Sequence, residues 1–523
     1  MEKIRIFKNK SKNEELNCSS DTINAEDERS AESISNTDDI AGAEDISNTD
    51  VNASAENTSS TDVNASAGNI RAADSSNDGT LNMTSGNPYK VIVQFALPIL
   101  LSQVFQQLYN TADTFIVGKF LGTEALAAVS SSGNLIFMLI SFIMGASMGA
   151  GVVISRFFGA GDRDSVSKAI HTNVLVGLIA SVFMTIFGVL LTPTFLSWMN
   201  VDAAVMPKAV EYFRYYFWGV STIIMYNVLK GIMNAIGDSK RPLYYLIISS
   251  LLNIALDYVF IGVFGWGVWA AAVATVISQL ASCILCLMHL MQKGHIYTIE
   301  PGKLAINKRA LILMLKYGLP SGIQNSVIGF ANVIVQSQIN SFGMMAMAAF
   351  GTYAKIEGFA FLPIMSFTMS ITTFVSQNLG AEKKERAKKG ATFGILVSVG
   401  LAELIGIAIY LAAPSLIGLF DSSAQVVALG TTQAHIEALF YGILAFAHAV
   451  AAVCRGAGKA FVPMFIMLSV WCVLRIAYIY AVMHLFGEIQ YIYSAYPLTW
   501  GISGIIYLIY YLKSNWTQGF SKA

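Results

Sequence analysis

From residue 87 onward the chain is a succession of long apolar runs broken by short polar punctuation. The runs fall at about 91–116, 129–155, 169–192, 207–232, 243–265, 268–291, 312–336, 347–378, 390–416, 428–454, 461–486 and 493–512. Each is long enough to cross a bilayer, for which a helix needs about 20 apolar residues. Lipid offers no partner to a backbone N–H or C=O, so each run is expected to be helical; a β-barrel would show short alternating segments instead. The pattern predicts an all-α polytopic membrane protein with twelve transmembrane helices, called segments 1 to 12 here.

Residues 1–86 read differently. They are rich in Ser, Asn, Asp, Ala and Thr, with near-repeats at 49–57 and 61–69. Such a stretch cannot bury enough apolar surface to offset its chain entropy, so a disordered acidic tail is expected. No apolar stretch follows the basic start, which argues against a signal peptide. Glycosylation-like sequences at Asn52 and Asn64 read as composition, because the tail is expected to be cytoplasmic.

Composition supports the division. Charged residues make up 13% of the chain and hydrophobic ones 54%, against about a quarter charged in a soluble domain. The net charge of zero hides an asymmetry: Ser11–Gly86 holds 16 acidic and three basic residues, whereas Asn87 onward holds 16 acidic and 26 basic. With a cytoplasmic N-terminus, 21 of those 26 fall inside, including Arg156, Arg163, Lys168, Lys240, Arg241 and the Lys383–Lys389 cluster. Only Lys119, Lys208 and Arg214 fall outside, while Lys355 and Arg475 lie within helices. This bias predicts both termini on the cytoplasmic side. The cysteines Cys18, Cys283, Cys286, Cys454 and Cys472 are scattered, and Cys283-x-x-Cys286 lies inside an apolar run, so packing rather than a disulfide framework is expected.

The chain repeats itself. Ala96–Leu97–Pro98 returns as Gly318–Leu319–Pro320, Arg156–Ala160 as Gln377–Ala381, and Ala235–Ile236–Gly237 with Pro242 as Gly456–Ala457–Gly458 with Pro463. The copies stand 222, 221 and 221 residues apart, with six segments between them. An even number preserves orientation, so the halves are parallel repeats flanking a central cavity. The resulting division is a tail at 1–86, an N-lobe at 87–291, a cytoplasmic linker at 292–311 and a C-lobe at 312–523.

Charge inside a bilayer is costly and marks a pathway or a paired site. In segment 1, Gln106, Tyr109 and Asp113 share a face near the outer end; in segment 5, Asn253 and Asp257 stand one turn apart. Thr275 lies in segment 6 and Asn227, a cavity candidate, in segment 4. A carboxyl group in a low-dielectric cavity can hold a proton near neutral pH and release it when water or a cation arrives. In the second half Lys355, Glu357, Glu403, His448 and Arg475 are expected to pair between helices, and His435 and Glu437 to be wetted near the outer surface. Gly145-x-x-x-Gly149 reads as close helix packing, and Pro98, Pro320 and Pro363 as kinks.

The body resembles the multidrug and toxic compound extrusion (MATE) family, from about Asn87 to Lys513. Its carriers are LYNTADTFIVG at Leu108–Gly118, RFFGAGD at Arg156–Asp162, AIGDSKRP at Ala235–Pro242, LNIALDY at Leu252–Tyr258 and GAGKA at Gly456–Ala460. The resemblance implies a secondary antiporter in the plasma (inner) membrane that exports organic cations and other drug-like amphipathic compounds against protons or sodium. It implies cation coupling through Asp113 with Asn253, Asp257 and Thr275, and a substrate cavity including Gln106, Tyr109 and Asn227. One branch of the family carries acidic residues in helices 7 and 10; here segment 7 has none and Leu444 stands near the second position. The repeat likewise places Ile334 or Val335 opposite Asp113, so coupling is expected in the N-lobe.

Three rivals stand beside this reading: a lipid-linked sugar flippase of the same superfamily, which would want a cavity lined by several Arg and Lys; a metabolite exporter, such as a sugar or metabolite carrier of the other large twelve-helix class; and a non-transporting membrane sensor signalling through the acidic tail. No phosphate loop, metal cluster or nucleophile–base pairing is evident, so neither an enzyme nor a cofactor is expected. The expected partners are the lipid bilayer and small molecules, with no nucleic acid, and the protein is expected to be a monomer.

Overall fold

The computed structural model describes residues 80–198 and 205–518. The tail expected at 1–86 therefore lies outside the described residues up to 79, as do Cys18, Asn52 and Asn64. Residues 80–86 are described and packed against the body, so the ordered chain begins before residue 87.

The body is helical throughout its spans. α1 covers Pro88–Gly122 and α2 residues 123–160, joined at Gly122, whose φ of 82° breaks an otherwise continuous helix. α3 is Arg163–Trp198 and α4 consists of Met206–Trp218 and Val220–Ala235. α5 is Lys240–Val263, α6 Trp269–Leu290, α7 Lys308–Asn340 and α8 Met344–Gly380. α9 is Lys384–Gly418, α10 Ala424–Gly456, α11 Phe461–Leu485 and α12 Ile489–Lys513. These match segments 1 to 12. Ten helices of the described residues are long and apolar enough by composition alone to cross a membrane. α4 misses because a break near Gly219 divides it, and α7 because it carries Gln324, Asn325, Asn332, Gln336 and Gln338 among its apolar residues. α1 runs nine residues beyond Asp113, to Gly122, so Asp113 lies well inside the helix rather than near its end.

The break in α4 has a counterpart. α10 is interrupted at Ala438–Phe440, the repeat-related position of Gly219, and resumes at Tyr441. A broken helix leaves backbone groups without partners, and in lipid these must be met internally. Glu403 of α9 does this: its Oε2 accepts from the Gly442 N–H at 2.9 Å.

Each lobe buries its own core, but two helices divide between them. The outer part of α1, Ile116 and Val117, packs in the N-lobe core, whereas Val91, Ile92, Phe95, Ala96 and Ile99 pack in the C-lobe core. α7 does the reverse: Ala310, Met314 and Tyr317 join the N-lobe core, while Val335 and Ile339 pack with α8, α11 and α12 residues of the C-lobe. The crossovers fall near Pro98 and Pro320, repeat-related residues inside their helices. Stripes such as Leu396, Leu404 and Leu411 on α9 remain exposed and face lipid.

The exchanged halves are held at the end of the bundle that carries Arg156, Arg241 and Lys383, the basic end. A Cβ on Gly149 would stand 2.1 Å from the Gly318 nitrogen, and one on Gly145 2.5 Å from that of Gly322. The repeated motif closes the same end on itself: a Cβ on Gly159 would lie 2.0 Å from the Gln377 carbonyl oxygen, and one on Gly380 2.1 Å from that of Arg156. Ser376 Oγ donates to the Val152 carbonyl at 2.8 Å and Gln377 Nε2 to that of Ala235 at 2.8 Å.

No side chain can be added at these glycines without parting the backbones. Gly149→Val is expected to destabilise the protein by about 1–3 kcal/mol, the usual cost of overpacking. Thermal unfolding in detergent checks this; an unchanged midpoint would mean the α2–α7 contact carries little of the fold.

Candidate functional site

The polar residues of the N-lobe converge where α1, α5 and α6 meet. Asn253 and Asp257 stand one turn apart on α5, Tyr109 and Asp113 one turn apart on α1, and Thr275 and Gln279 one turn apart on α6. Tyr109, Ser249, Ser250, Asn253, Thr275, Ser278 and Gln279 line one narrow cleft. One turn further along α1 and α5, the Asp113 and Asp257 carboxyls interact directly. Tyr212 of α4 lies within electrostatic range of both.

The site contains polar atoms whose needs are unmet. Asp257 is fully buried and Asn253 is 2% exposed, yet among the described residues the Asp257 oxygens have no partner besides the Asp113 carboxyl, and neither amide atom of Asn253 has a hydrogen-bond partner. The same holds for Asp113 Oδ1, Ser250 Oγ and Gln279 Oε1. Buried polar groups are rarely left this way in a purely structural role, because each costs about 1–3 kcal/mol. What these oxygens share is the capacity to accept a proton or to ligate a small cation. Among the described residues there is no group of three or more His, Cys, Asp or Glu side chains able to hold a metal ion.

Gln106 does not line the cleft, and the Asn227 amide donates to the Ile223 carbonyl of its own helix at 2.8 Å. Thr275 lines the cleft while its hydroxyl donates to the Ala271 carbonyl at 3.0 Å. Ser249, Ser250, Ser278 and Gln279 were missed, although their spacing from Asn253 and Thr275 puts them on the same faces.

The C-lobe differs from expectation at one residue. Glu437, read from the sequence as wetted, is fully buried, and its Oε1 accepts from Gln433 Nε2 at 3.0 Å. The interruption of α10 directly after it turns the side chain inward. His435, two residues earlier, is exposed, with Nε2 3.2 Å from the Tyr410 carbonyl. Glu357 of α8 and Arg475 of α11 lie within electrostatic range of Glu437. Arg475 donates to Thr499 Oγ1 at 2.8 Å and stacks on Tyr496, 4.4 Å from the ring centroid. His448 meets Phe361 and Trp471 edge-on, and Lys355 lies over Phe420. Leu444 is buried in the C-lobe core, and Val335, opposite Asp113 in the repeat, is buried and apolar.

Known proteins share this architecture. The MatE family model matches residues 98–259 and again 320–481, once per lobe. The chain is 27% identical over 426 residues to the probable multidrug resistance protein YoeA of Bacillus subtilis, covering 80% of this chain and 92% of that protein. It is 27% identical to the probable multidrug resistance protein NorM of Thermotoga maritima, covering 73% and 83%. A MOP superfamily transporter from Pyrococcus furiosus superposes with a TM-score of 0.78 at 24% identity, covering 82% of this chain and 96% of that one.

Because the Asn253 amide has no partner, Asn253→Leu removes an unmet polar group rather than a bond. It is expected to leave the thermal midpoint in detergent unchanged or raised by a few degrees, while transport is lost. A lowered midpoint would show that Asn253 holds the helices together instead.

Proposed function

The chain belongs to the MatE family, the multidrug and toxic compound extrusion transporters, and from that premise we propose that it is a secondary antiporter exporting organic cations and drug-like amphipathic compounds in exchange for H⁺ or Na⁺. The observation that carries the reading is the Asp113–Asp257 pair beside an unpartnered Asn253. Two carboxylates side by side in a low-dielectric cleft, with no cation beside them, are costly to ionise together. A proton or a sodium ion supplies the missing positive charge. The pair bridges α1 and α5, so taking up or releasing the ion changes how strongly the two helices are held together. An ion drives a conformational change only through different affinity for the two states, and this bridging geometry provides a source of that difference.

The basic end is the cytoplasmic end by its Lys and Arg excess. Its glycine-packed closure then makes this the state whose cavity opens to the outside, the state that takes up the ion. Both termini are cytoplasmic, the membrane is the plasma membrane and the working unit is the monomer. Substrate selection falls to the apolar and aromatic walls between the lobes. The relatives named for multidrug resistance support that substrate class, and the intramembrane cations Lys355 and Arg475 are too few for a pyrophosphate-linked sugar.

Ethidium efflux in vesicles, driven by a pH gradient or a sodium gradient imposed one at a time, tests the proposal. Wild type is expected to respond to one of them, and Asp113→Asn and Asp257→Asn each to lose the response by about tenfold or more, the lower range for a positioned proton-transfer group. Gradient-driven efflux at the wild-type rate in both variants would sink the coupling role.

A further inference from the structure

The segment before α1 is a strap across the two lobes. On the N-lobe side, the Leu81 N–H donates to the Gly237 carbonyl at 3.1 Å. The approach is so close that a Cβ on Gly237 would lie 2.3 Å from the Leu81 oxygen, and Gly237 has a φ of 94° that favours glycine. On the C-lobe side, the Met83 side chain is fully buried in the core, with Leu81 packed against the same cluster. Asn378 Nδ2 donates to the Met83 carbonyl at 3.0 Å and Lys383 Nζ to that of Thr84 at 2.8 Å. Arg386 reaches three carbonyls in turn: Met83 at 3.2 Å, Ser85 at 2.5 Å and Gly86 at 2.6 Å. Its guanidinium lies over the Phe374 ring, 5.5 Å from the centroid. The strap is shaped for this grip. Asn82 Oδ1 accepts from the Thr84 N–H at 2.9 Å, Gly86 has a φ of 68°, and Asn87 caps α1 by accepting from the Tyr89 N–H at 2.9 Å.

Three features set this apart from a loop resting on a surface. The charged donor spends its hydrogen bonds on main-chain carbonyls, so the grip depends on the path of the chain rather than on its side chains. A methionine is fully buried at the middle of the strap. Finally, the two anchors belong to different lobes: Gly237 lies in the α4–α5 turn, whereas Asn378, Lys383 and Arg386 lie around the α8–α9 turn, the equivalent of the α2–α3 turn in the other repeat. These turns flank the glycine contacts that close the basic end.

We propose that residues 80–86 are a clasp that holds the basic end of the transporter shut, locked on the C-lobe by Arg386 and on the N-lobe by the Leu81–Gly237 bond. The inference goes beyond the antiport reading and rests on its premise that this end opens and closes. When the lobes part there, both anchors cannot keep their partners. The N-lobe anchor, a single backbone bond, is the one that yields, and the segment stays with Arg386. The clasp therefore adds to the stability of the closed state and sets how readily the basic end opens, independently of the ion.

A distance measurement by double electron–electron resonance tests this without relying on substrate or coupling ion. Spin labels are placed at Asp164→Cys and Glu385→Cys, exposed sites at the starts of α3 and α9, in the full chain with its five native cysteines replaced, in lipid nanodiscs. The chain lacking residues 1–79 is expected to match the full chain. The chain lacking residues 1–84, and Arg386→Gln in the full chain, are each expected to raise the ratio of long to short distances by about tenfold, given what hydrogen bonds to a charged group contribute. Leu81→Pro, which removes the N-lobe donor and trims the Leu81 side chain but leaves the Arg386 grip, is expected to shift it in the same direction by less and keeps the test open if the truncation fails to fold. Identical distance distributions in Arg386→Gln and Leu81→Pro would overturn the clasp. So would a full shift on removing residues 1–79 alone. All these chains keep Asp113 and are compared at the same pH and sodium concentration, so wild-type efflux in Asp113→Asn would sink the coupling role without deciding the clasp, and the two proposals fail separately.

Discussion

The structure depends on backbone meeting backbone at the basic end. Between helices in lipid there is little hydrophobic driving force, since the tails are as apolar as leucine, and association rests on close van der Waals packing of small residues. Gly145 and Gly149 of α2 against Gly318 and Gly322 of α7 supply that packing, and Gly159 and Gly380 repeat it reciprocally between the motifs that end α2 and α8. With no side chain intervening, carbonyls come within reach of the hydroxyl and amide donors of the other lobe, as Ser376 and Gln377 show. The exchange of α1 and α7 halves between the lobes follows, because the basic-end half of each helix is drawn into the opposite core.

That closure also positions the polar cleft. If the halves of α1 and α7 are committed to the opposite lobe up to the prolines, what remains of α1 beyond Pro98 is free to pack within its own lobe, and Tyr109 and Asp113 lie on that stretch. α5 and α6 bring Asn253, Asp257, Thr275 and Gln279 to it. The carboxylate pair is thus carried by an element whose other end is anchored across the molecule, the arrangement in which a small local change can be felt at a distant contact.

How much of this was legible in the sequence depends on how local the cause is. Helix count, orientation bias and the parallel repeat follow from composition and register, and Asn253 with Asp257 follows from a spacing of four. The Gly145–Gly149 spacing announced close packing but not its partner. Features set by tertiary geometry were hidden. Glu403 had no visible partner because that partner is a main-chain N–H freed by the break in α10. Glu437 looked wetted because nothing in its neighbourhood signals the break that turns it inward. The strap at 80–86 reads as more of the polar tail, because what orders it is carbonyl oxygens, which every residue possesses, facing an arginine some 300 positions away. Helical spacing also cannot say whether a side chain turns to its own helix, as Asn227 does.

The repeat carries the last step. Overlaying the halves matched Asp113 with an apolar position and led to the expectation that coupling is concentrated in the N-lobe. The structure refines that contrast, because the C-lobe buries Glu437 with Glu357 close by. What differs is compensation. In the C-lobe, Arg475 stands within range of both carboxylates, and Gln433 bonds one of them. In the N-lobe, the groups acting on Asp113 and Asp257 are each other and the low dielectric around them, with no guanidinium or ammonium among them. A carboxylate with a guanidinium in range gains less from an arriving cation than one with none. The duplicated scaffold therefore presents two buried acidic sites of which only the C-lobe one has a guanidinium within range, and the asymmetry that bears on an exchangeable ion is in the partners of the carboxylates rather than in their number.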